Sequence, residues 1–78
     1  MNARRLPSVT ARDVIRVPQK AGFSIVRTTG SHFRLVHDTE PTRQTTVPVH
    51  KGKDIPRGTL RDIIKQAGFT VDEFIDLL

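Results

Sequence analysis

The chain has 78 residues, which is enough for one compact domain. We expect a single domain over residues 1–78, with residues 1–7 flexible and no deep cofactor pocket. Lysine and arginine number 13 against 8 aspartate and glutamate, and the net charge of +5 favours a polyanionic or acidic partner. The absence of cysteine excludes a disulfide framework and thiolate metal sites.

The hydropathy pattern gives no sign of a membrane segment. No apolar run approaches the roughly 18 residues of a membrane span, and the basic start of the chain is not followed by the apolar core of a signal peptide. We therefore expect a cytoplasmic protein with no membrane contact.

The first predicted helix covers residues 10–21, with Ser8 or Thr10 as its N-cap and Gly22 as its stop. Its apolar face consists of Val14, Ile15 and Ala21. Pro18 interrupts this pattern, because proline lacks the N–H group that would bond to the preceding turn and clashes with the carbonyl there. We expect the helix to kink or to end early at Pro18.

Three β-rich runs follow, separated by Gly30-Ser31 and by a polar loop. They cover residues 23–29, 32–38 and 44–50. An antiparallel meander is the natural assembly, and Pro48 should make the third strand an edge because it cannot donate to a ladder. In the first strand, either Ile25 or Val26 faces the core.

The register of the second and third strands decides which histidines meet. Keeping the apolar residues on one face pairs Phe33 with Val49, or slips the pairing by two residues. The favoured register is symmetric about residue 41 and sets His32 opposite His50. Side chains opposite each other have Cβ atoms roughly 4.5–5.5 Å apart, so the two rings could share a substrate.

The remainder is predicted to be helical, over residues 56–67 with Gly68 as the stop, followed by a short helix with a capping box of Thr70 and Glu73. The layout is an α+β fold of order α-β-β-β-α with a short C-terminal helix. The helices should pack on one face of a three-stranded antiparallel sheet, which leaves the other face for a ligand.

His32 is the residue best suited to chemistry, because a histidine can give or take a proton near neutral pH and this one faces outward directly after a turn. Gly30 and Ser31 have structural roles in that turn. His50 is a candidate second acid or base, and the competing interpretation is that it only ends the strand. His37 is interpreted as a surface or packing residue. The spacing of the histidines predicts no metal site.

Basic residues around the histidines are candidates for holding phosphates, although a solvated loop is the competing interpretation. They are Arg34, Lys51, Lys53 and Arg57, and the start of the following helix adds backbone donors. With four phenylalanines and no tryptophan or tyrosine, little is left for stacking bases, so sequence selectivity should be modest.

The chain resembles the HicA-type toxins of toxin–antitoxin pairs over nearly its whole length. The resemblance depends on four motifs in order: Gly30-Ser31-His32, Thr46-Val47-Pro48-Val49-His50, Pro56-Arg57-Gly58-Thr59-Leu60 and Ile64-Lys65-Gln66-Ala67-Gly68. It implies a fold similar to the double-stranded RNA-binding domain, a type II system toxin that cleaves mRNA, and a HicB-type antitoxin. The family's catalytic histidine corresponds to His32, whereas Pro18 departs from the family pattern.

The mechanism that fits is metal-independent RNA cleavage without a cofactor, with His32 as general acid or base. The antitoxin should cover His32 and present acidic or backbone acceptor groups to Arg34 and to residues 51–57. One alternative is a non-catalytic RNA-binding module of the same fold, which would retain RNA intact. A DNA-binding helix-turn-helix is disfavoured because the acidic segment 72–76 would face phosphate.

Overall fold

The computed structural model describes residues 4–78 and confirms the α+β fold. In chain order the elements are α1 (Ala11–Lys20), β1 (Phe23–Thr29), β2 (His32–His37), β3 (Gln44–Pro48), α2 (Arg57–Gln66) and α3 (Val71–Leu77). The strands form one antiparallel sheet of order β1-β2-β3, so β3 is an edge strand as its proline predicts. Within residues 4–78, no helix is both long and apolar enough to cross a membrane.

Helix α1 begins at the predicted N-cap Thr10, whose side chain accepts a hydrogen bond from the Asp13 N–H while Asp13 bonds back to the Thr10 N–H. The expected early end at Pro18 is wrong, because α1 continues to Lys20. Pro18 lies in the last turn of α1, so only two helical residues follow it, and the Pro18 carbonyl accepts from the Ala21 N–H at 2.9 Å. Pro18 is also buried, so it contributes packing to the core.

The favoured register of β2 and β3 is also wrong, and the slip by two residues is correct. Phe33 pairs with Val47, and His32 pairs with Pro48 instead of His50. The slip brings Thr45 opposite Leu35, on the inward face. The Thr45 hydroxyl donates to the side-chain carbonyl of Gln66 in α2 at 2.8 Å, which satisfies a polar group that is otherwise buried.

The hydrophobic core lies between the inward face of the sheet and the three helices. Its fully buried side chains include Val14, Val17, Leu35, Val47, Leu60, Ile63 and Phe74. The outward face of the sheet is exposed, and along β1 every residue after Phe23 is exposed. The packing therefore leaves one sheet face open, as the helix and strand patterns predict.

The segment before α1 packs against the domain from residue 4 onward. Leu6 is buried, and Val9 accepts a backbone hydrogen bond from Ile55 at 2.9 Å. Arg4 forms ion pairs with Asp72 and Asp76 of α3. We predicted that residues 1–7 are flexible. Of these, residues 1–3 lie outside the described residues.

The C-terminal helices follow their local signals. Helix α2 begins after Pro56 and is followed by Gly68 at φ +80°. In α3, Thr70 accepts a hydrogen bond from the Glu73 N–H and Glu73 accepts one from the Thr70 N–H, so the predicted capping box is confirmed.

Candidate functional site

His32 is the first residue of β2 and lies at one end of the open sheet face. Gly30 has φ +56° in the preceding turn, a left-handed conformation that glycine adopts without steric cost. The cross-strand partners of His32 are Thr29 and Pro48, and the ring is exposed. Among residues 4–78, no hydrogen bond restrains the His32 ring, so both of its nitrogens are accessible to a ligand.

The structure does not bring His50 opposite His32. His50 lies two residues beyond the end of β3, in a turn closed by a 3.0 Å hydrogen bond from the Lys53 N–H to the His50 carbonyl. Lys51 and Lys53 follow it in the chain, and all three side chains are exposed. This loop leaves the sheet at the same end as the turn before His32, because the Val49 N–H donates to the Ser31 carbonyl at 2.6 Å. The loop is therefore a neighbour of His32, but the predicted ring-to-ring pairing is lost.

Two arginines lie next to His32 on the open face. Arg34 is two residues along β2 from His32, and its guanidinium is 3.5 Å from the Thr46 hydroxyl of β3. Arg27 of β1 is the direct cross-strand partner of Arg34. Sequence reasoning identified Arg34 but missed Arg27, because a bulge that alternation alone does not reveal places Arg27 on this face.

The fourth predicted phosphate ligand, Arg57, has a structural partner. Its guanidinium donates to the Leu6 carbonyl at 2.6 Å and ties the N-terminal segment to α2. Arg57 lines a groove of about 620 Å³ that sequence reasoning also missed, together with Arg4, Arg5, Leu6, Arg61, Thr70, Val71 and Asp72. Hydrogen bonds that the Arg4 guanidinium donates to Asp76 and Asp72 raise the pKa of Arg4 above its ordinary value. The acidic side chains of α3 thus offset part of the positive charge in this groove.

The sequence was compared with the profiles of known protein families. The sequence profile described as the HicA toxin of bacterial toxin–antitoxin systems matches residues 11–69. The chain belongs to the HicA toxin family. Its membership makes it a toxin of a toxin–antitoxin system and implies an antitoxin partner. A search of curated proteins found no significant match.

His37 of the toxin has a packing role. The His37 Nδ1 atom accepts hydrogen bonds from the N–H groups of Thr39 and Glu40 at 3.2 and 3.1 Å, and the ring packs edge-on against Phe23. These contacts order the loop between β2 and β3 and place His37 at the opposite end of β2 from His32.

No cluster of three or more metal-ligating side chains is found in residues 4–78 of the toxin. The chemistry that the site can supply from its own groups is proton transfer at His32 and charge stabilisation by the adjacent arginines. Both suit a phosphodiester substrate, whose cleavage needs proton transfer and whose backbone carries negative charge.

Proposed function

We propose that this HicA toxin is a metal-independent endoribonuclease that cleaves mRNA with His32 as general acid or base. The observation that carries the proposal is an accessible histidine ring at the end of an open, basic sheet face in a chain of this toxin family. His32 corresponds to the family's catalytic position. Arg34 lies two residues further along the same strand and on the same face.

In the reaction, a base removes the proton from an RNA 2′-hydroxyl, and that oxygen attacks the adjacent phosphorus. The bond from phosphorus to the 5′-oxygen of the next nucleotide breaks, and an acid protonates the departing oxygen. The products are a 2′,3′-cyclic phosphate and a 5′-hydroxyl end. His32 fills one of the two proton-transfer roles, and Arg34 holds the negatively charged RNA backbone beside it.

The cross-strand pairing of His32 with Pro48 argues against a two-histidine mechanism on the sheet. The second proton is then exchanged with water or with His50 if the loop after β3 approaches the substrate. The proposal therefore assigns the principal role to His32 alone and gives His50 a smaller one.

The proposed partner that silences the toxin is a HicB-type antitoxin that covers His32 and presents acidic groups to Arg34, Lys51 and Lys53. These cations are exposed around the histidine and are available for charge complementarity. Arg57 contributes less, because its guanidinium is already bound to the Leu6 carbonyl. A cytoplasmic location follows from an mRNA substrate and stays a prediction.

The antitoxin interface is tested by reversing charge in the loop after β3. The double variant Lys51→Glu/Lys53→Glu should bind the cognate antitoxin more weakly at low salt than the parent does. Lys65→Glu on α2 reverses one charge away from this loop and is the matched control for the single variants Lys51→Glu and Lys53→Glu, which are measured beside the double variant. Unchanged affinity of the double variant would refute the proposed interface.

The activity is tested by incubating the purified toxin with labelled mRNA in the presence of a chelator, and by repeating the assay with 2′-O-methyl RNA of the same sequence. Cleavage of the first RNA only, with 2′,3′-cyclic phosphate ends, is the expected result. If both RNAs are bound but remain intact, the protein is a non-catalytic RNA-binding module. Cleavage that requires an added divalent cation would contradict the metal-independent mechanism.

A further inference from the structure

The bulge in β1 changes which residues face outward beside His32. Ile25 pairs with Leu35, but the next pair is Arg27 with Arg34, so Val26 is an extra residue without a partner. In a regular ladder Val26 would pair with Arg34. Arg27 would then pair with Phe33 and face the helices. The extra residue therefore moves Arg27 from the inward face to the open face.

This arrangement is unfavourable for the folded protein by itself. The bulge leaves Val26 with 57% of its surface exposed. It also sets two guanidinium-bearing side chains directly opposite each other, with Cβ atoms about 5 Å apart, and like charges in such a pair are destabilising. Neither Arg27 nor Arg34 is within ion-pair distance of a carboxylate among residues 4–78. Bulges are over-represented next to active sites, where they re-aim side chains.

We propose that Arg27 and Arg34 form a clamp that binds one phosphate of the RNA backbone next to the phosphate attacked at His32. This inference rests on the proposed ribonuclease function and adds Arg27 as a substrate-positioning residue. Two guanidinium groups on adjacent strands can each donate two hydrogen bonds to phosphate oxygens, and the anion removes their mutual repulsion.

The distance along β2 fits this assignment. Arg34 is two residues from His32 on the same face, a rise of about 7 Å, which is comparable to the separation of successive phosphates in an extended strand. An RNA strand that runs along β2 on the open face would place one phosphate between the two arginines and the neighbouring phosphate at His32. The clamp contacts no base edge, so it positions the RNA without reading its sequence.

The clamp is tested by binding of 2′-O-methyl RNA, which resists attack by its own 2′-oxygen and so separates binding from cleavage. We expect Arg27→Gln and Arg34→Gln each to weaken binding about tenfold at low salt. The double variant should reduce the slope of log K against log salt by about 0.7, because the two arginines neutralise one phosphate, and each single variant should reduce it by less. The double variant should lose less than the two single losses combined, because both arginines bind the same phosphate.

Lys65→Gln on α2 removes the same charge away from the open face and is the matched control. Thermal unfolding provides the second readout: Arg27→Gln should keep or raise the melting temperature, since it removes a repulsive pair.

If the toxin cleaves RNA but Arg27→Gln binds like Lys65→Gln, the clamp is wrong and the ribonuclease proposal stands. If Arg27→Gln weakens the binding of the antitoxin but not the binding of RNA, the ligand of Arg27 and Arg34 is a carboxylate of the antitoxin, and the clamp is again wrong. If the parent protein neither binds nor cleaves RNA, the clamp and the proposed function fall together.

Discussion

Truncating Arg43 should destabilise the toxin more than truncating any exposed arginine. The Arg43 guanidinium donates through Nε to the Ala67 carbonyl at the end of α2, at 2.7 Å. Its central carbon lies 5.4 Å from the ring centre of Phe23 and 5.3 Å from that of Phe69. This one side chain therefore joins the start of β3, the start of β1 and the C-terminal end of α2.

The expected loss follows from these contacts. Two cation–π contacts at a partly exposed site contribute about 0.5–1 kcal/mol each. A charge-assisted hydrogen bond contributes about 1.5 kcal/mol at the lower end of its range, which is appropriate because 27% of the Arg43 side chain is exposed. Arg43→Ala should thus lower the free energy of unfolding by about 3 kcal/mol, which corresponds to a drop in melting temperature of more than about 10 °C.

Urea denaturation of Arg43→Ala and of Arg61→Ala measures the effect. Arg61 is exposed on α2, and its truncation should change stability by no more than about 0.5 kcal/mol. A loss below about 1 kcal/mol for Arg43→Ala would refute the reasoning. Because the Arg43 carbonyl also accepts the His37 N–H at 2.9 Å, the same residue helps to set the β2–β3 register that positions His32.

Other substitutions give graded expectations that thermal or urea unfolding can check. Gly30→Ala should cost about 1–2 kcal/mol from its positive φ alone, since nothing lies within 4 Å of the added carbon. Gly68→Ala should cost more, because its added carbon would lie 2.7 Å from the Arg43 Nε; equal losses would contradict this ranking. Arg57→Ala should lower stability by about 1–2 kcal/mol through loss of the bond to Leu6, and an unchanged stability would return Arg57 to a purely RNA-binding role.

The features that local sequence determines could be predicted correctly. Thr10 and Thr70 cap their helices because a threonine hydroxyl bonds to N–H groups three residues on. The open sheet face follows from alternation around Leu35, and the exposure of His32 follows from the same alternation. Each of these features depends on residues that are close together in the sequence, within one helical turn or within one strand.

The features that depend on distant partners could not be predicted. Apolar alternation alone allows registers that differ by two residues. In the observed register, Thr45 bonds to Gln66 in α2, and Arg43 bonds to Ala67 at the end of α2. The bulge at Val26 is equally invisible to a period of two, and so the outward position of Arg27 was missed. The expectation for Pro18 considered its missing N–H and its clash with the preceding turn, and not the core that it packs into.

The most direct test of the central claim is the single-turnover rate of mRNA cleavage in chelator for the parent, His32→Ala and His50→Ala, with RNA binding measured in parallel. We predict a fall of about 10²–10⁴-fold for His32→Ala, a much smaller fall for His50→Ala, and binding retained in both. A His32→Ala protein that cleaves mRNA at the parent's rate would contradict this claim.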